Sequence, residues 1–62
     1  MRILGVDFGT KRTGLAVGDA ETLLAFPLRT VSAPTLDALV VLVLAAAAEE
    51  KVERVVVGMP VR

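Results

Sequence analysis

The 62-residue sequence contains no Cys, no His, no Trp and no Tyr, and only 3% of its residues are aromatic. Without Cys there is neither a disulfide staple nor a thiolate metal site, and without His there is no imidazole ligand. Those staples are what chains of this size usually depend on, because a lone core this small is marginal. Charge of one sign is missing too: seven basic residues balance seven acidic ones, and the pI is near 6.1. There is no global positive field to announce nucleic acid and no polybasic run to hold anionic lipid. Long apolar runs are short of a membrane span. The uncharged stretch Ala38 to Ala48 has eleven residues, whereas a bilayer needs roughly 20. The opening Met1-Arg2-Ile3-Leu4-Gly5-Val6-Asp7 puts a carboxylate where a signal peptide needs its apolar core. Absent Cys and an absent export signal together predict a cytoplasmic location.

What is present is apolar. Hydrophobic residues make up 55% of the chain and mean hydropathy is +0.72, far from a disordered tail. Such a composition suits part of a larger fold or a chain that covers apolar surface with a partner. The chain carries no internal repeat, linker or composition break, so it reads as one domain or less.

Arg2 to Phe8 reads as a strand buried on both faces. The loop Gly9-Thr10-Lys11-Arg12 then leads to a second strand, Thr13 to Asp19, and the short connection predicts an antiparallel hairpin. Leu23 to Val31 reads as a third strand, and Pro27 in its middle assigns it to a sheet edge, since proline cannot donate to a ladder. Ser32 or Thr35 caps a helix that runs to Glu50, with Asp37 in its first turn. Leu36, Leu39, Val40, Val43 and Ala47 fall on one helical face, yet the opposite face carries Val41, Leu42 and Ala45, a pattern of a helix covered on two sides. Val55 to Gly58 is a short apolar strand with the character of a sheet's centre, and Met59-Pro60 ends it.

A right-handed crossover through the helix places the fourth strand beside the first, giving the order 3-2-1-4 in an α/β sheet. The carboxyl ends of strands one and four then meet at one edge, where open α/β sheets put their ligands. Asp7 ends strand one at that edge. Asp19 should lie about 20 Å away at roughly 3.3 Å per residue; Glu49, Glu50 and Glu53 belong to the far edge, and helix-dipole duty explains Asp37. Two readings of Asp7 follow: a turn cap accepting amide protons from residues 9 to 11, or a carboxylate for a divalent ion such as Mg²⁺. Lys11 and Arg12 are solvated loop charges under the first reading and phosphate contacts under the second. Gly9 and Gly14 are expected to relieve backbone crowding in the hairpin.

The run Gly5-Val6-Asp7-Phe8-Gly9-Thr10-Lys11-Arg12-Thr13-Gly14-Leu15-Ala16-Val17-Gly18-Asp19 resembles the opening of the YqgF family. Members are RuvC-like proteins of the ribonuclease H-like fold, described as Holliday junction resolvases and as pre-16S ribosomal RNA nucleases. The resemblance continues through Ala25-Phe26-Pro27-Leu28 and through Val55-Val56-Val57-Gly58-Met59-Pro60. It implies that Asp7 is the first catalytic carboxylate and metal ligand of a nuclease using Mg²⁺ or Mn²⁺. It further implies that Lys11 and Arg12 contact the nucleic-acid backbone, and that Gly9, Thr10, Gly58 and Pro60 shape the cleft. Residues 1–62 would then be the N-terminal half of a single ribonuclease H-like domain, holding three antiparallel strands, a helix and one parallel strand. The remaining acidic ligands would come from a second half that this sequence does not contain, and the 62-residue chain by itself is expected to be inactive.

Two rival readings stand beside it. Asp-x-Gly-Thr also opens the actin, Hsp70 and sugar-kinase superfamily, where the Gly9 and Thr10 amides would hold ATP phosphates. Alternatively the chain is a non-catalytic module whose open strand edge and apolar helix make it a homo-oligomer or a strand-swapped dimer.

Overall fold

The computed structural model describes residues 1–22 and 24–58. They form β1 (Arg2–Phe8), β2 (Thr13–Asp19), β3 (Leu24–Val31), α1 (Leu36–Glu49) and β4 (Arg54–Val57). The four strands make one mixed sheet in the order β3-β2-β1-β4. β1 runs antiparallel to β2, β2 antiparallel to β3, and β1 parallel to β4. The topology expected from the hairpin, the edge proline and the crossover rule is the topology found. Leu23, expected in the third strand, lies outside the described residues.

Local chemistry explains the boundaries. Pro27 sits on the edge strand opposite Ala16, next to a register shift between Leu15 and Ala16, where a missing donor costs the ladder least. Thr35 is the cap: its extended backbone (φ −135°) stops the chain short of the helix, and its hydroxyl accepts from the Ala38 amide at 3.1 Å. At the other end the Val52 amide donates to Ala47 O and the Lys51 amide to Ala48 O (3.1 and 3.2 Å). This is the paired bonding of a Schellman motif, and it puts Lys51 in the left-handed region at φ 54°. A side chain there is strained, so Lys51→Gly is expected to stabilise the chain by about 1 kcal/mol in urea unfolding. A neutral or destabilising result would show that Lys51 contributes a contact that offsets the strain.

α1 covers one face of the sheet. The buried apolar residues are Leu4, Val6, Leu15, Val43 and Ala46, with Phe8, Val17, Leu28, Val31, Ala47 and Val52 packed around them. Alternation along β1 sends Leu4 and Val6 toward α1 and Gly5 and Asp7 to the opposite, open face. Two ion pairs tie the helix end to the sheet: Arg2 to Glu50 at 3.0 Å and Arg29 to Glu49 at 3.4 Å.

The helix face differs from expectation. Val43, Leu39 and Ala47 turn inward as expected, but Leu36 and Val40 are exposed and Ala46 is fully buried. A helix apolar all round has no polar stripe to choose its orientation. Contact with the sheet chooses it, and small Ala46 permits close approach. β4 is likewise Arg54–Val57, one residue earlier than expected, and all four of its residues are exposed at the sheet margin.

Candidate active site

Asp7 is the penultimate residue of β1 and is half-buried. The β1–β4 ladder aligns Val6 with Val57, and the Gly58 amide donates to Val6 O at 3.1 Å, one residue beyond β4. Gly58 therefore sits alongside Asp7 on one side. On the other, Asp7 pairs with Gly14 of β2. Neither neighbour carries a side chain.

The loop after β1 is held by its own backbone: the Gly9 amide donates to Arg12 O at 2.9 Å. A Cβ on Gly9 would stand 2.5 Å from that same oxygen, which no side chain can occupy without moving the turn. Crowding does explain Gly9, as expected. It does not explain Gly14, where a Cβ would meet nothing closer than Asp7 Cβ at 3.9 Å, an ordinary contact. Thr10, Lys11 and Arg12 are all exposed on this loop, so both cations are open to solvent at the Asp7 end of the sheet. Pro60 lies outside the described residues.

The far acids sort as their positions in the sequence imply. Asp19 pairs in register with Arg2, at the opposite end of the β1–β2 ladder from Asp7. It has a turn to hold: the Glu21 amide donates to its Oδ1 at 2.8 Å, and the Met1 amino group stands 3.6 Å away. The Glu21 hydrogen bond, foremost, keeps its carboxyl below the ordinary value. Glu49 and Glu50 are engaged by Arg29 and Arg2, and the Glu53 amide bonds Arg2 O at 2.9 Å. Among the described residues no three of His, Cys, Asp and Glu lie close enough to hold a metal ion together. Asp7 alone does not supply the set of acidic metal ligands that the family resemblance implies.

The sequence reading did not single out the open face of the sheet. Gly5, Gly14 and Ala16 form the low floor of a trough of about 660 Å³, with Asp7 at one end and Pro27, Thr30 and Val56 along its sides. Its sequence signal is the placing of small residues at alternate positions of two paired strands.

The nucleotide-binding reading needs the Gly9 amide for a phosphate, and that amide is already given to Arg12 O. What remains is a mixed α/β sheet with a carboxylate and two exposed cations at the carboxyl ends of a parallel strand pair, where such sheets bind ligands. The class is therefore an α/β protein with a mixed four-stranded sheet. The chain belongs to the family described as RuvX, Holliday junction resolvase, whose model matches residues 1–62.

Individual relatives agree. The chain is 48% identical over 60 residues to a protein of Nitratidesulfovibrio vulgaris (strain DSM 19637 / Miyazaki F) named "Putative pre-16S rRNA nuclease", covering 97% of this chain and 42% of that protein. It is 48% identical over 61 residues to a protein of the same name from Christiangramia forsetii, covering 98% and 43%. A third so named, from Chloroflexus aggregans, is 41% identical over 58 residues, covering 94% and 41%. The chain thus spans about two-fifths of the length of these relatives. Family membership favours a nuclease over the actin-like and Hsp70-like alternative. No helix among the described residues is long and apolar enough to cross a membrane.

Proposed function

We propose that this chain is the N-terminal half of a ribonuclease H-like, metal-dependent nuclease that hydrolyses phosphodiester bonds in structured nucleic acid. The substrate is pre-16S rRNA at its 5′ end or a Holliday junction, as the names of the relatives and the family suggest. The observation that carries the reading is the placement of Asp7. It stands at the carboxyl edge of β1, flanked by Gly14 and Gly58 and followed by a loop bearing Lys11 and Arg12. In this reading Asp7 supplies one acidic ligand for Mg²⁺ or Mn²⁺, and the other ligands come from sequence the longer relatives possess. Lys11 and Arg12 neutralise phosphates of the bound strand, and Gly9, Thr10, Gly58 and Pro60 shape the cleft. The site works in the cytoplasm, where ribosomal RNA precursors are made.

The test joins this chain to the remaining sequence of the Nitratidesulfovibrio vulgaris relative and measures cleavage of a pre-16S rRNA fragment and of a four-way DNA junction. Cleavage is expected only with Mg²⁺ or Mn²⁺ present. Binding should weaken with salt, and the logarithmic slope should fall by roughly one for each of Lys11→Ala and Arg12→Ala. Cleavage of neither substrate, with the unmodified relative active on one of them, would refute the reading. An unchanged salt slope would remove the two cations from the interface.

A further inference from the structure

We infer that Gly14 is a specificity-determining position, where a phosphodiester of the substrate strand comes down onto bare backbone beside Asp7. A side chain there would hold the strand off the carboxylate. The inference rests on the nuclease reading of Asp7 and concerns a residue that contributes no chemical group of its own.

Gly14 needs an explanation because the rest of the chain supplies none. It is the second residue of β2 and is paired on both sides, with Asp7 of β1 and with Thr30 of β3. Glycine in such a place gives up side-chain packing and costs backbone entropy. No described glycine has a positive φ, so no left-handed turn demands it. No neighbour demands it either: a Cβ would stand 3.9 Å from Asp7 Cβ, an ordinary contact. The glycines that the fold does require look different. A Cβ would stand 2.5 Å from Arg12 O at Gly9 and 2.9 Å from Leu24 O at Gly18. A strand glycine that neither conformation nor packing requires marks a close approach by a ligand or another backbone.

Register decides between the two. Asp7, Gly14 and Thr30 form one row across three strands, and all three line the trough on the same face of the sheet. The Gly9 amide is given to Arg12 O, so alternation makes Asp7 and Gly14 a hydrogen-bonded pair about 5.5 Å apart. Gly14 and Thr30 then meet as a non-hydrogen-bonded pair about 4.5 Å apart. A Cβ at position 14 would fill the step between Asp7 and Thr30, on the face where the carboxylate stands. The competing occupant is a segment from the remainder of the longer protein. Seated on Gly14, such a segment would lie against Asp7 Cβ and shut the carboxylate off on that side. A phosphodiester seated there is brought to the carboxylate, at the sheet edge that carries the exposed Lys11 and Arg12.

The test places Gly14→Ala and Gly14→Val in the joined protein of the preceding subsection. Gly5→Ala is the contrast. It adds a Cβ to the same face two residues before Asp7, where the nearest atom would be Ala16 O at 3.8 Å. Three quantities are measured: cleavage of the substrate that the parent cuts, binding of that substrate in EDTA, and the thermal midpoint. The kcat is expected to fall about 10-fold with Ala and on the order of 10²-fold with Val, the scale of a displacement of about 1 Å from the reacting geometry. Binding in EDTA should stay within about twofold, because the phosphate contacts of Lys11 and Arg12 are untouched. The midpoint should not drop, and Gly5→Ala should keep the parent kcat. Parent-level cleavage by Gly14→Val would overturn the inference and leave the nuclease reading standing. A lowered midpoint in Gly14→Ala with kcat retained would assign the position to packing within the protein and overturn it as well. Equal loss of kcat in Gly5→Ala would do the same, since the effect would not belong to the Asp7 row. An inactive parent, with the unmodified relative active, would refute the nuclease reading itself, and this inference with it.

Discussion

Leu4→Ala is expected to leave most of the chain unfolded in plain buffer. Among the described residues Leu4 is the one large side chain that is wholly buried, at 0% exposure, and it packs in the core cluster with Val43 and Ala46 of α1 from β1. The truncation removes its transfer free energy and leaves a cavity that β1, held between β2 and β4, collapses around poorly, at a cost of about 2–5 kcal/mol. A core this small supplies a total stability of only about 3–5 kcal/mol, so the loss is comparable with everything available. Urea unfolding followed by circular dichroism at fixed protein concentration gives the comparison, since association would shift the apparent stability with concentration. Val41→Ala is the matching control: Val41 is 64% exposed on the same helix-bearing layer, and its truncation should stay within about 0.5 kcal/mol of the parent. A Leu4→Ala cost under about 1 kcal/mol would mean that the core is not where the structure puts it.

The strand order was legible because each connection carried its own physical constraint. The four-residue loop from Gly9 to Arg12 forces a hairpin, Pro27 forces an edge, and the helical crossover allows one hand. The cap was legible to within a choice, and the structure takes Thr35 over Ser32 because the Thr35 hydroxyl reaches the Ala38 amide. What could not be read was orientation where composition was uniform. α1 is Leu, Val and Ala on every side, so no pattern could say that Ala46 rather than Val40 would meet the sheet. β4 shows a related tension: Val55-Val56-Val57 has the composition of an interior strand, yet among the described residues it lies at the margin that the order 3-2-1-4 assigns it. Apolar composition reports what a segment needs, not whether its neighbours are there to provide it.

The candidate site divides along the same line. That Asp7 would stand at the carboxyl edge follows from topology, and the sorting of Asp19, Glu49 and Glu50 away from it is what the register and the ion pairs give. The assignment of Asp7 to a cation came from family resemblance, because a single carboxylate cannot encode a ligand set. The open-face trough left only the spaced small residues Gly5, Gly14 and Ala16 as a trace, and small residues have many causes.

Asp7→Asn is the change expected to act most strongly on chemistry, and its strength is that it separates charge from shape. Asparagine has the same volume and keeps a carbonyl acceptor, so the hydrogen bonding available to position 7 largely persists while the negative charge is lost. In the joined protein described above, cleavage should fall on the order of 10²-fold or more, the scale on which removing one preorganised polar group from a reacting centre is felt. Folding should change little, because Asp7 is half-buried at a strand end and is not part of the Leu4 core. Asp19→Asn provides the contrast. It removes a charge from the other end of the same hairpin, where the Glu21 amide and the Met1 amino group are its partners. That variant should loosen the turn after β2 and leave cleavage near the parent level. Equal loss in both variants would indicate damage to the hairpin, with no special role for position 7. Full cleavage with Asn at position 7 would take Asp7 out of the site and leave it as the residue that ties off the turn.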